Sequence, residues 1–538
     1  MKVELYPDLL SLRDAAGRRV GLFSDRGSWL ALCWGEGKAI EVHDTRLPAH
    51  PQPPELPPAC AFLDFGSPPR RRTVWPERLE LELADGRVVQ VGFSAPQTIF
   101  VSGAAEVHSQ LPQRLVEDGI LLGENLDRPT QPGVLQRNRS VRQRAFDRAA
   151  ALLPPSATPR DRLLVARAIT TLSWNWRAPI AELIADGCIP SPFAYRGYWG
   201  WDSWKHAHAL AHIAPEFAGD QIRVQLARQR GGMVPDTVMP WSISDNWKNT
   251  KPPLAAWALA EVSKSLASEN RHAAPLAREL YPACAATLRW WDGMRRHSGE
   301  TLHRPGGMNW ETATWDLGWD RSARFEGVAL RPHGEWRLLD AVPPDLAAFV
   351  LVECQALARL AALARKDEQT WRQRALEQQR ACAELWDERL GAFTDRRDDG
   401  KPGLLSAACA LPVWAGAASA AQAARTRDLL ADPRHFGAPL PFPALALSAP
   451  GFDPDDYWNG GVWLDQAAWM LAALGVDPRA VPLRERLLDC LAQKETFWEC
   501  LNPLTGNPCA GGRPAVPQFS WSAAGVLEIL TGGLAHKN

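Results

Sequence analysis

The spacing of hydrophobic residues changes along this chain, and the change divides the sequence into two kinds of structure. In residues 79–83 leucine alternates with glutamate, a period of two that is typical of a strand with one buried face. A second alternating run covers residues 89–91, after Asp85-Gly86, a dipeptide that favours a tight hairpin turn. A proline-rich connection occupies residues 48–58. We therefore predict a β-sandwich-like domain at residues 1–125.

From about Arg139 onward the hydrophobic period becomes helical, after a proline- and glycine-containing break at residues 129–133. A helix that begins near Pro343-Pro344-Asp345 carries one apolar stripe, formed by Val350, Cys354, Leu357, Ala361 and Ala364. Further helical stretches follow without strand signals between them. We predict a linker with a connecting helix at residues 126–158 and a helical domain at residues 159–538.

The composition excludes several classes of function. The 538 residues are 46% hydrophobic and 22% charged, as in a globular protein. Sixty Lys and Arg residues against 61 Asp and Glu residues give a net charge of -1, so no overall field attracts a nucleic acid or an anionic membrane. No unbroken apolar run has the length of a signal peptide or a membrane span, and we expect a cytoplasmic protein. Ten cysteines without a C-x-x-C pair indicate neither a zinc site nor a disulfide framework.

Residues that carry chemistry gather between the predicted helices, where loops on a rigid scaffold usually hold function. Five segments combine Trp with Asp, Asn, Lys or Gly: residues 196–205, 232–236, 249–253, 309–322 and 457–463. The chain has 25 Trp and only 5 Tyr, and a flat indole ring suits the C–H face of a sugar. The Trp-Asp pairs lack the regular period of a β-propeller. Aromatic platforms beside carboxylates and amides predict a carbohydrate site.

The sequence resembles the bacterial α-glucosidases of glycoside hydrolase family 63. The resemblance runs in order from about Tyr198 to Ala524 and rests on six blocks: G-Y-W-G-W-D-S-W-K-H-A-H-A-L-A, A-P-E-F-A-G-D-Q-I-R, N-T-K-P-P-L-A-A-W, Y-W-N-G-G-V-W-L-D-Q, E-C-L-N-P-L-T-G and F-S-W-S-A-A. It implies a mainly α fold in which an (α/α)6-barrel catalytic domain follows a β-sandwich-like N-terminal domain. It also implies a hydrolase that needs no cofactor.

The resemblance assigns two carboxyl groups to catalysis. The family's general acid lies in a loop that here reads Trp315-Asp-Leu-Gly-Trp-Asp320, and the matching position is Asp320. The family's general base precedes an N-P-x-T-G block, and the matching position is Glu499. Hydrolysis with inversion requires the two carboxyl groups to stand about 6.5–9.5 Å apart, so that water fits between the base and the sugar.

Each catalytic assignment has a structural alternative. Asp320 could form a surface ion pair with the neighbouring Arg321, and Glu499 could cap a helix. Glu495 is the alternative base.

Two carboxylates in the acid loop, Asp316 and Glu311, are alternatives for the acid role. The acid has to stay protonated near neutral pH, which requires apolar surroundings or a neighbouring carboxylate. Trp315 and Trp319 could supply the apolar surroundings of Asp320.

Seven residues are the predicted sugar contacts: Trp199, Trp201, Asp202, Lys251, Tyr457, Trp458 and Trp521. The resemblance makes Asp202 the carboxylate of a buried subsite, where it can accept protons from two neighbouring hydroxyl groups. Its alternative role is the N-cap of a helix. The Trp rings would form stacking walls, although each of them could instead belong to the core. Lys251 could donate to a hydroxyl group or form a buried ion pair.

Two departures from relatives change the expectations. Asn459 stands where some relatives have Arg, so a contact on that side of the pocket is lost or replaced. Some relatives carry a stretch before the acid loop that resembles a calcium site. The corresponding residues 296–303 have fewer than three oxygen ligands at a suitable spacing, and we expect no metal there.

The sequence therefore predicts an inverting hydrolase of terminal α-glucosidic bonds, with a small glucoside or oligosaccharide as its substrate. A trehalase or a hexosylglycerate hydrolase on the same fold is one alternative, because a fold does not name the sugar. A non-catalytic carbohydrate-binding protein is another. The linkage, the aglycone and the oligomeric state are left open.

Overall fold

The computed structural model describes residues 19–21, 28–34, 39–46, 58–103, 106–124, 126–127, 134–179, 183–239, 245–269 and 273–534. The chain divides into two compact units. The first, which we call the strand-rich unit, comprises Met1–Gly197, Ala492–Trp498 and Val516–Ala523. The second, the helical unit, comprises Tyr198–Leu491, Glu499–Ala515 and Ala524–Asn538. The predicted bounds at residues 125 and 158 stay a prediction.

The strand-rich unit contains two antiparallel sheets, one with the strand order β1-β2-β3-β4-β9 and one with the order β10-β11-β8-β7-β6-β5. Their strands are β1 Arg19–Gly21, β2 Leu30–Trp34, β3 Ala39–Asp44, β4 Ala59–Asp64, β5 Pro69–Val74, β6 Arg78–Leu83, β7 Val88–Ala95, β8 Thr98–Ser102, β9 Glu106–Ser109, β10 Gln113–Val116 and β11 Gly119–Gly123. Helices α1 Val134–Ala151 and α2 Pro159–Asn175 follow, and then the short strands β12 Trp176–Arg177 and β13 Gly187–Cys188.

The hairpin of β6 and β7 forms where the alternating pattern predicts it. Leu79, Leu81 and Leu83 are all buried, and Leu81 lies opposite Val89 in the ladder. Gly86 closes the turn with a φ of 86°, a left-handed conformation that glycine adopts without strain. The proline-rich connection at residues 48–58, except for Pro58, and the break at residues 129–133 lie outside the described residues.

The helical unit consists of helices joined by long loops with short strands. Its helices are α3 Gly200–Leu210, α4 Pro215–Leu226, α5 Ala255–Ser268, α6 Ala273–Met294, α7 Trp310–Leu317, α8 Pro344–Ala364, α9 Gln369–Ala383, α10 Leu411–Trp414, α11 Ala420–Ala431, α12 Tyr457–Gly460, α13 Leu464–Leu474 and α14 Ala480–Ala492. The last residue of α14 and the first four residues of α15 Ser520–Thr531 belong to the strand-rich unit, and the rest of α15 belongs to the helical unit. Its strands are β14 Tyr198–Trp199, β15 Thr237–Val238, β16 Gly306–Gly307, β17 Leu330–His333, β18 Trp336–Leu339, β19 Ala341–Val342, β20 Trp386–Asp387, β21 Ala392–Phe393 and β22 Arg396–Arg397. The chain is thus mainly helical after a strand-rich N-terminal region, as predicted.

Helix α8 is the central core helix of this unit. It begins at Pro344, as predicted, and all five residues of its predicted stripe are buried. It packs against α5, α6, α9 and α10. Its length and composition would allow it to cross a membrane, but 78% of its most apolar window is buried inside the protein. A core helix that is apolar on most sides explains the same pattern.

Glu353 on α8 replaces the N-cap that α5 lacks. The residue before α5, Leu254, has no capping side chain, and the Glu353 carboxylate instead accepts hydrogen bonds from the N–H groups of Ala256 and Trp257 at 2.8 and 2.9 Å. Burial raises the pKa of Glu353 to about 8, although the two backbone donors oppose the rise. The first turn of α5 is thereby fixed to the core helix.

Candidate active site

The predicted acid loop follows α7 and turns sharply against an aromatic ring. Asn309 and Thr312 form a capping box at the start of α7, and Gly318 ends the helix in the left-handed region with a φ of 80°. A Cβ atom at Gly318 would lie 2.2 Å from the ring of Trp201. Only glycine allows this turn to pack on Trp201, so the residue fixes the approach of Trp319 and Asp320 to the site.

Asp316, the first alternative acid, is fully occupied by structural hydrogen bonds. Its buried carboxylate accepts from Arg295 Nε at 2.8 Å and Nη2 at 3.2 Å, from the Thr250 N–H at 2.8 Å and from the Gly306 N–H at 3.0 Å. A carboxylate that satisfies four donors inside the fold has no oxygen to offer a substrate. Asp316 therefore serves the architecture of the loop.

Asp320 has a partly exposed carboxylate beside a cation. Its side chain is 21% exposed, and Arg513 Nη1 lies 3.3 Å from its Oδ2. The proposed pair with Arg321 is wrong, because Arg321 binds Glu311 through Nε at 2.7 Å. Glu311, the second alternative acid, is thus the partner of Arg321 in an ion pair. The surroundings of Asp320 thus include a guanidinium group as well as Trp319.

Glu499 is buried and oriented by a tyrosine. Only 2% of the residue is exposed, and Tyr457 donates its hydroxyl proton to Glu499 Oε1 at 2.7 Å. Glu499 lies between α14, which ends at Ala492, and α15, which begins at Ser520, and the suggested helix-capping role stays a prediction. Glu495, the alternative base, is exposed and belongs to the strand-rich unit.

Arg513 connects the two predicted catalytic carboxylates. Its guanidinium carbon lies 4.6 Å from the ring centroid of Tyr457, while one of its nitrogens reaches Asp320. Tyr457 in turn binds Glu499. The backbone of Tyr457 has a φ of 29°, an uncommon conformation for a bulky residue, and such strain is frequent at functional sites. One continuous series of contacts therefore joins Asp320 to Glu499.

Four indole rings form an aromatic cluster beside these residues. Trp458 stacks on Trp463 with ring centroids 4.0 Å apart and an angle of 5° between the planes. It also lies 4.9 Å from Trp319 and 6.4 Å from Trp201. The cluster brings the predicted residues Trp201 and Trp458 together beside the acid loop.

Asp202 lies in the first turn of α3 and is buried. Its predicted alternative as an N-cap is wrong, since the cap position is Trp199. Burial raises the pKa of Asp202 to about 7, while the charges of Lys205 and Lys251 act in the opposite direction. A buried carboxylate with two cations nearby suits the binding of sugar hydroxyl groups.

Lys251 is a member of a buried ion pair, one of its two predicted alternatives. Its Nζ lies 3.0 Å from Asp236 Oδ1 and donates to the Trp315 carbonyl oxygen at 2.5 Å. Asn249 Nδ2 also donates to Asp236, at 3.0 Å. This network attaches the 249–253 segment to the acid loop.

Asn459, the residue that stands where some relatives have Arg, makes two side-chain hydrogen bonds within the fold. Its Oδ1 accepts from the Ala323 N–H at 2.7 Å, and its Nδ2 donates to Asp456 Oδ2 at 2.8 Å. Arg513 contacts the ring of Tyr457, two residues before Asn459.

Six of the seven predicted sugar contacts belong to the helical unit and one belongs to the strand-rich unit. Trp199 is half-buried, pairs with Thr237 through its backbone and precedes α3. Trp521 belongs to the strand-rich unit, where its ring lies 6.1 Å from that of Phe519. Trp201, Asp202, Lys251, Tyr457 and Trp458 all lie in the helical unit with Asp320 and Glu499.

Sequence reasoning missed Lys205, Asp465 and Arg513. Lys205 and Asp465 stand inside the quoted blocks W-D-S-W-K and V-W-L-D-Q, and their positions directly after tryptophan-rich runs were the available signal. Arg513 follows two glycines in a loop and carried no pattern of its own.

Potential metal ligands form one group in the described part of the chain. Atoms of Cys33, Glu41 and His43, on β2 and β3 of the strand-rich unit, lie within 4.8 Å of one another. In the segment 296–303, the Glu300 carboxylate binds Arg304 at 3.0 Å. His303 Nε2 lies 3.0 Å from Asp292.

Comparisons with known proteins show the family and the fold of the chain. Residues 195–522 match the model of the mannosylglycerate hydrolase MGH1-like glycoside hydrolase domain. A mannosylglycerate hydrolase of Thermus thermophilus is 39% identical over 88 residues, which are 16% of this chain and 20% of that protein. This matched segment spans about a fifth of the length of that relative.

Two crystal structures of a family 63 mannosylglycerate hydrolase from Thermus thermophilus share the fold. The complex with Tris and D-glycerate has a TM-score of 0.57 at 20% identity and covers 68% of this chain and 99% of that chain. The complex with glucose has a TM-score of 0.56 at 21% identity and covers 67% of this chain and 98% of that chain. The predicted fold class, a helical (α/α)6 barrel preceded by a strand-rich domain, is confirmed.

Replacing Asp316 and Asp320 should separate architecture from chemistry. We expect Asp316→Asn to lower the melting temperature by at least about 5 °C, because Arg295 loses its buried counter-charge. Asp320→Asn, at a partly exposed position, should change the melting temperature by less than about 2 °C. Thermal unfolding followed by circular dichroism measures both. An Asp316→Asn variant as stable as the unmodified protein would contradict the structural role of Asp316.

Proposed function

The chain belongs to the mannosylglycerate hydrolase MGH1-like glycoside hydrolases of family 63, and we propose that it releases a terminal hexose from an α-glycoside with inversion of configuration. The observation that carries this proposal is the series of contacts from Asp320 through Arg513 and Tyr457 to Glu499. It provides two carboxyl groups in different environments around one site, as acid–base hydrolysis requires.

Asp320 is the proposed general acid and Glu499 the proposed general base. Asp320 is the more exposed of the two, which suits a group that protonates the oxygen of a departing aglycone. Glu499 is buried, and the Tyr457 hydroxyl group donates a hydrogen bond to its Oε1, which orients the carboxylate that we propose accepts a proton from water. Inversion then follows if water attacks the anomeric carbon from the side of Glu499.

The sugar-binding side of the site contains Asp202 and the aromatic cluster. We propose that Asp202 accepts protons from hydroxyl groups of the hexose and that Trp201 and Trp458 contact its apolar face. Lys251, paired with Asp236, supplies positive charge near both Asp202 and Asp320. A small carbohydrate is thus the proposed substrate.

Two classes of substrate fit this chemistry: α-glucosides with a neutral aglycone, and hexosylglycerates, whose aglycone is the glycerate anion. The sequence predicts α-glucosidase activity on neutral glucosides. Arg513 favours the glycerate class, because its half-exposed guanidinium can pair with a carboxylate of the departing group. An anionic aglycone that binds Arg513 would also release Asp320 to carry the proton needed for catalysis. The name of the Thermus relative agrees with this class.

The activity is tested with a panel of mannosylglycerate, glucosylglycerate, trehalose and neutral α-glucosides, with release of free hexose as the measurement. We expect hydrolysis of at least one hexosylglycerate or α-glucoside. Asp320→Asn and Glu499→Gln should each lower turnover by about a hundredfold or more, because each removes one proton-transfer role.

Glu495→Gln and Glu311→Gln are the matched controls and should retain most of the activity. No hexose from any α-glycoside of the panel would contradict the proposed function. Normal turnover by Asp320→Asn or Glu499→Gln in a folded protein would instead contradict that residue's role.

Arg513→Ala separates the two aglycone classes. We expect it to raise the KM for a hexosylglycerate at least about tenfold, because a charge-assisted contact to the carboxylate is lost, and to change the KM for a neutral α-glucoside less than about threefold. Steady-state kinetics with both substrates measure the difference. Arg321→Ala is the control, since Arg321 is adjacent in sequence to Asp320 but binds Glu311. Equal effects on both substrates would contradict anion recognition by Arg513.

A further inference from the structure

A buried ion pair that has no part in the proposed chemistry lies against the ring of Trp201. Lys205 on α3 and Asp465 on α13 approach to 2.7 Å between Nζ and Oδ2. Their side chains are only 5% and 4% exposed. The pair joins two helices that are far apart in sequence.

Lys205 contacts the proposed sugar wall directly. Its Nζ lies 3.2 Å from the centroid of the Trp201 ring and 5.0 Å from that of Trp469. A cation over the face of an indole ring is attracted by the ring's negative charge distribution. Since Asp465 also holds this ammonium group, the pair restrains the Trp201 ring at a defined position.

Lys205 also lies near the carboxylate of Asp202, three residues earlier on the same helix. The charged groups that face Asp202 are Lys205 on its own helix, Lys251 from the 249–253 segment and Asp465 on α13. Burial raises the pKa of Asp202, and of these three neighbours Lys205 has the largest opposing effect. Burial lowers the pKa of Lys205 itself to about 8, while Asp465 and Asp202 favour its charged form.

A gain in folding stability does not by itself explain why a buried ion pair is present here. Removing two charges from water costs several kcal/mol per ion, and replacing a buried pair with apolar residues is often neutral or stabilising. The position of this pair, in contact with Trp201 and next to Asp202, offers a functional reason for its burial.

We propose that Lys205, held by Asp465, is a positioning residue of the sugar subsite that fixes the Trp201 ring and keeps Asp202 ionised for the hexose hydroxyl groups. This inference rests on the proposed function in one respect, that a hexose binds at Asp202. An ionised Asp202 offers both oxygens as acceptors, whereas the protonated form uses one oxygen as a donor. Hexose affinity is therefore present above the pKa of Asp202 and is lost as the pH falls through it.

The test is calorimetric titration of the protein with D-mannose and D-glucose between pH 5.5 and 8.5. The main variant is the double substitution Lys205→Met and Asp465→Asn, which removes both buried charges and leaves neither unpaired. We expect its hexose affinity at pH 6.5 to fall about tenfold and the pH of half-maximal affinity to move upward, because the largest charge that favours ionised Asp202 is gone.

Matched variants give the test its specificity. The pair Arg479 and Asp428, at 2.8 Å on the surface of the same unit, is the control, and the double substitution Arg479→Met and Asp428→Asn should leave hexose affinity unchanged at every pH. Lys205→Arg retains the cation and should retain the midpoint. Asp202→Asn should bind hexose weakly and without dependence on pH.

Two results would overturn the proposal. One is a folded Lys205→Met, Asp465→Asn protein with the affinity and pH midpoint of the unmodified protein. The other needs no variant of the pair: an unmodified protein whose hexose affinity is constant from pH 5.5 to 8.5. Because free hexose binds without turnover, a protein that binds hexose in the expected way but cleaves no glycoside would contradict the proposed function and leave this inference intact.

Discussion

The buried pair between Arg295 and Asp316 organises the candidate site. Its carboxylate joins Arg295, which directly follows α6, to the Thr250 backbone and β16 in one network of four hydrogen bonds. Because Asp316 is fixed, the adjacent Trp315 carbonyl meets Lys251, and the turn at Gly318 closes on Trp201. The position of Asp320 therefore depends on an ion pair that takes no part in chemistry.

The two proposed catalytic carboxyl groups have different surroundings in the helical unit. Such a difference allows one of them to act as an acid and the other as a base. Glu499 has a neutral phenol as its partner and is buried, whereas Asp320 is partly exposed beside Arg513. On the sugar side, Asp202 is enclosed with Lys205 and Lys251. Lys205 is held in a buried ion pair with Asp465, which agrees with a rigid sugar-binding side of the site.

Sequence patterns predicted the features that depend on neighbouring residues. The hairpin at Gly86 and the start of α8 at Pro344 follow from turn chemistry and periodicity, and ordered blocks indicated the family and its fold. Features that depend on tertiary contacts could not be predicted from the sequence. Lys205 and Asp465 are 260 positions apart, and nothing local shows that they meet. The suggested pair of Asp320 with Arg321 failed because a turn with positive φ directs Arg321 to Glu311.

The central claim is that water, activated by Glu499, attacks the anomeric carbon while Asp320 protonates the departing oxygen. The stereochemistry of the first product tests this most directly, because it does not depend on which hexose or aglycone is preferred. Time-resolved proton NMR of the hydrolysis of an α-hexoside should show the β-hexose first, followed by slow mutarotation. The α-hexose as the first product would contradict the account, since retention requires a carboxylate that attacks carbon from about 5–5.5 Å.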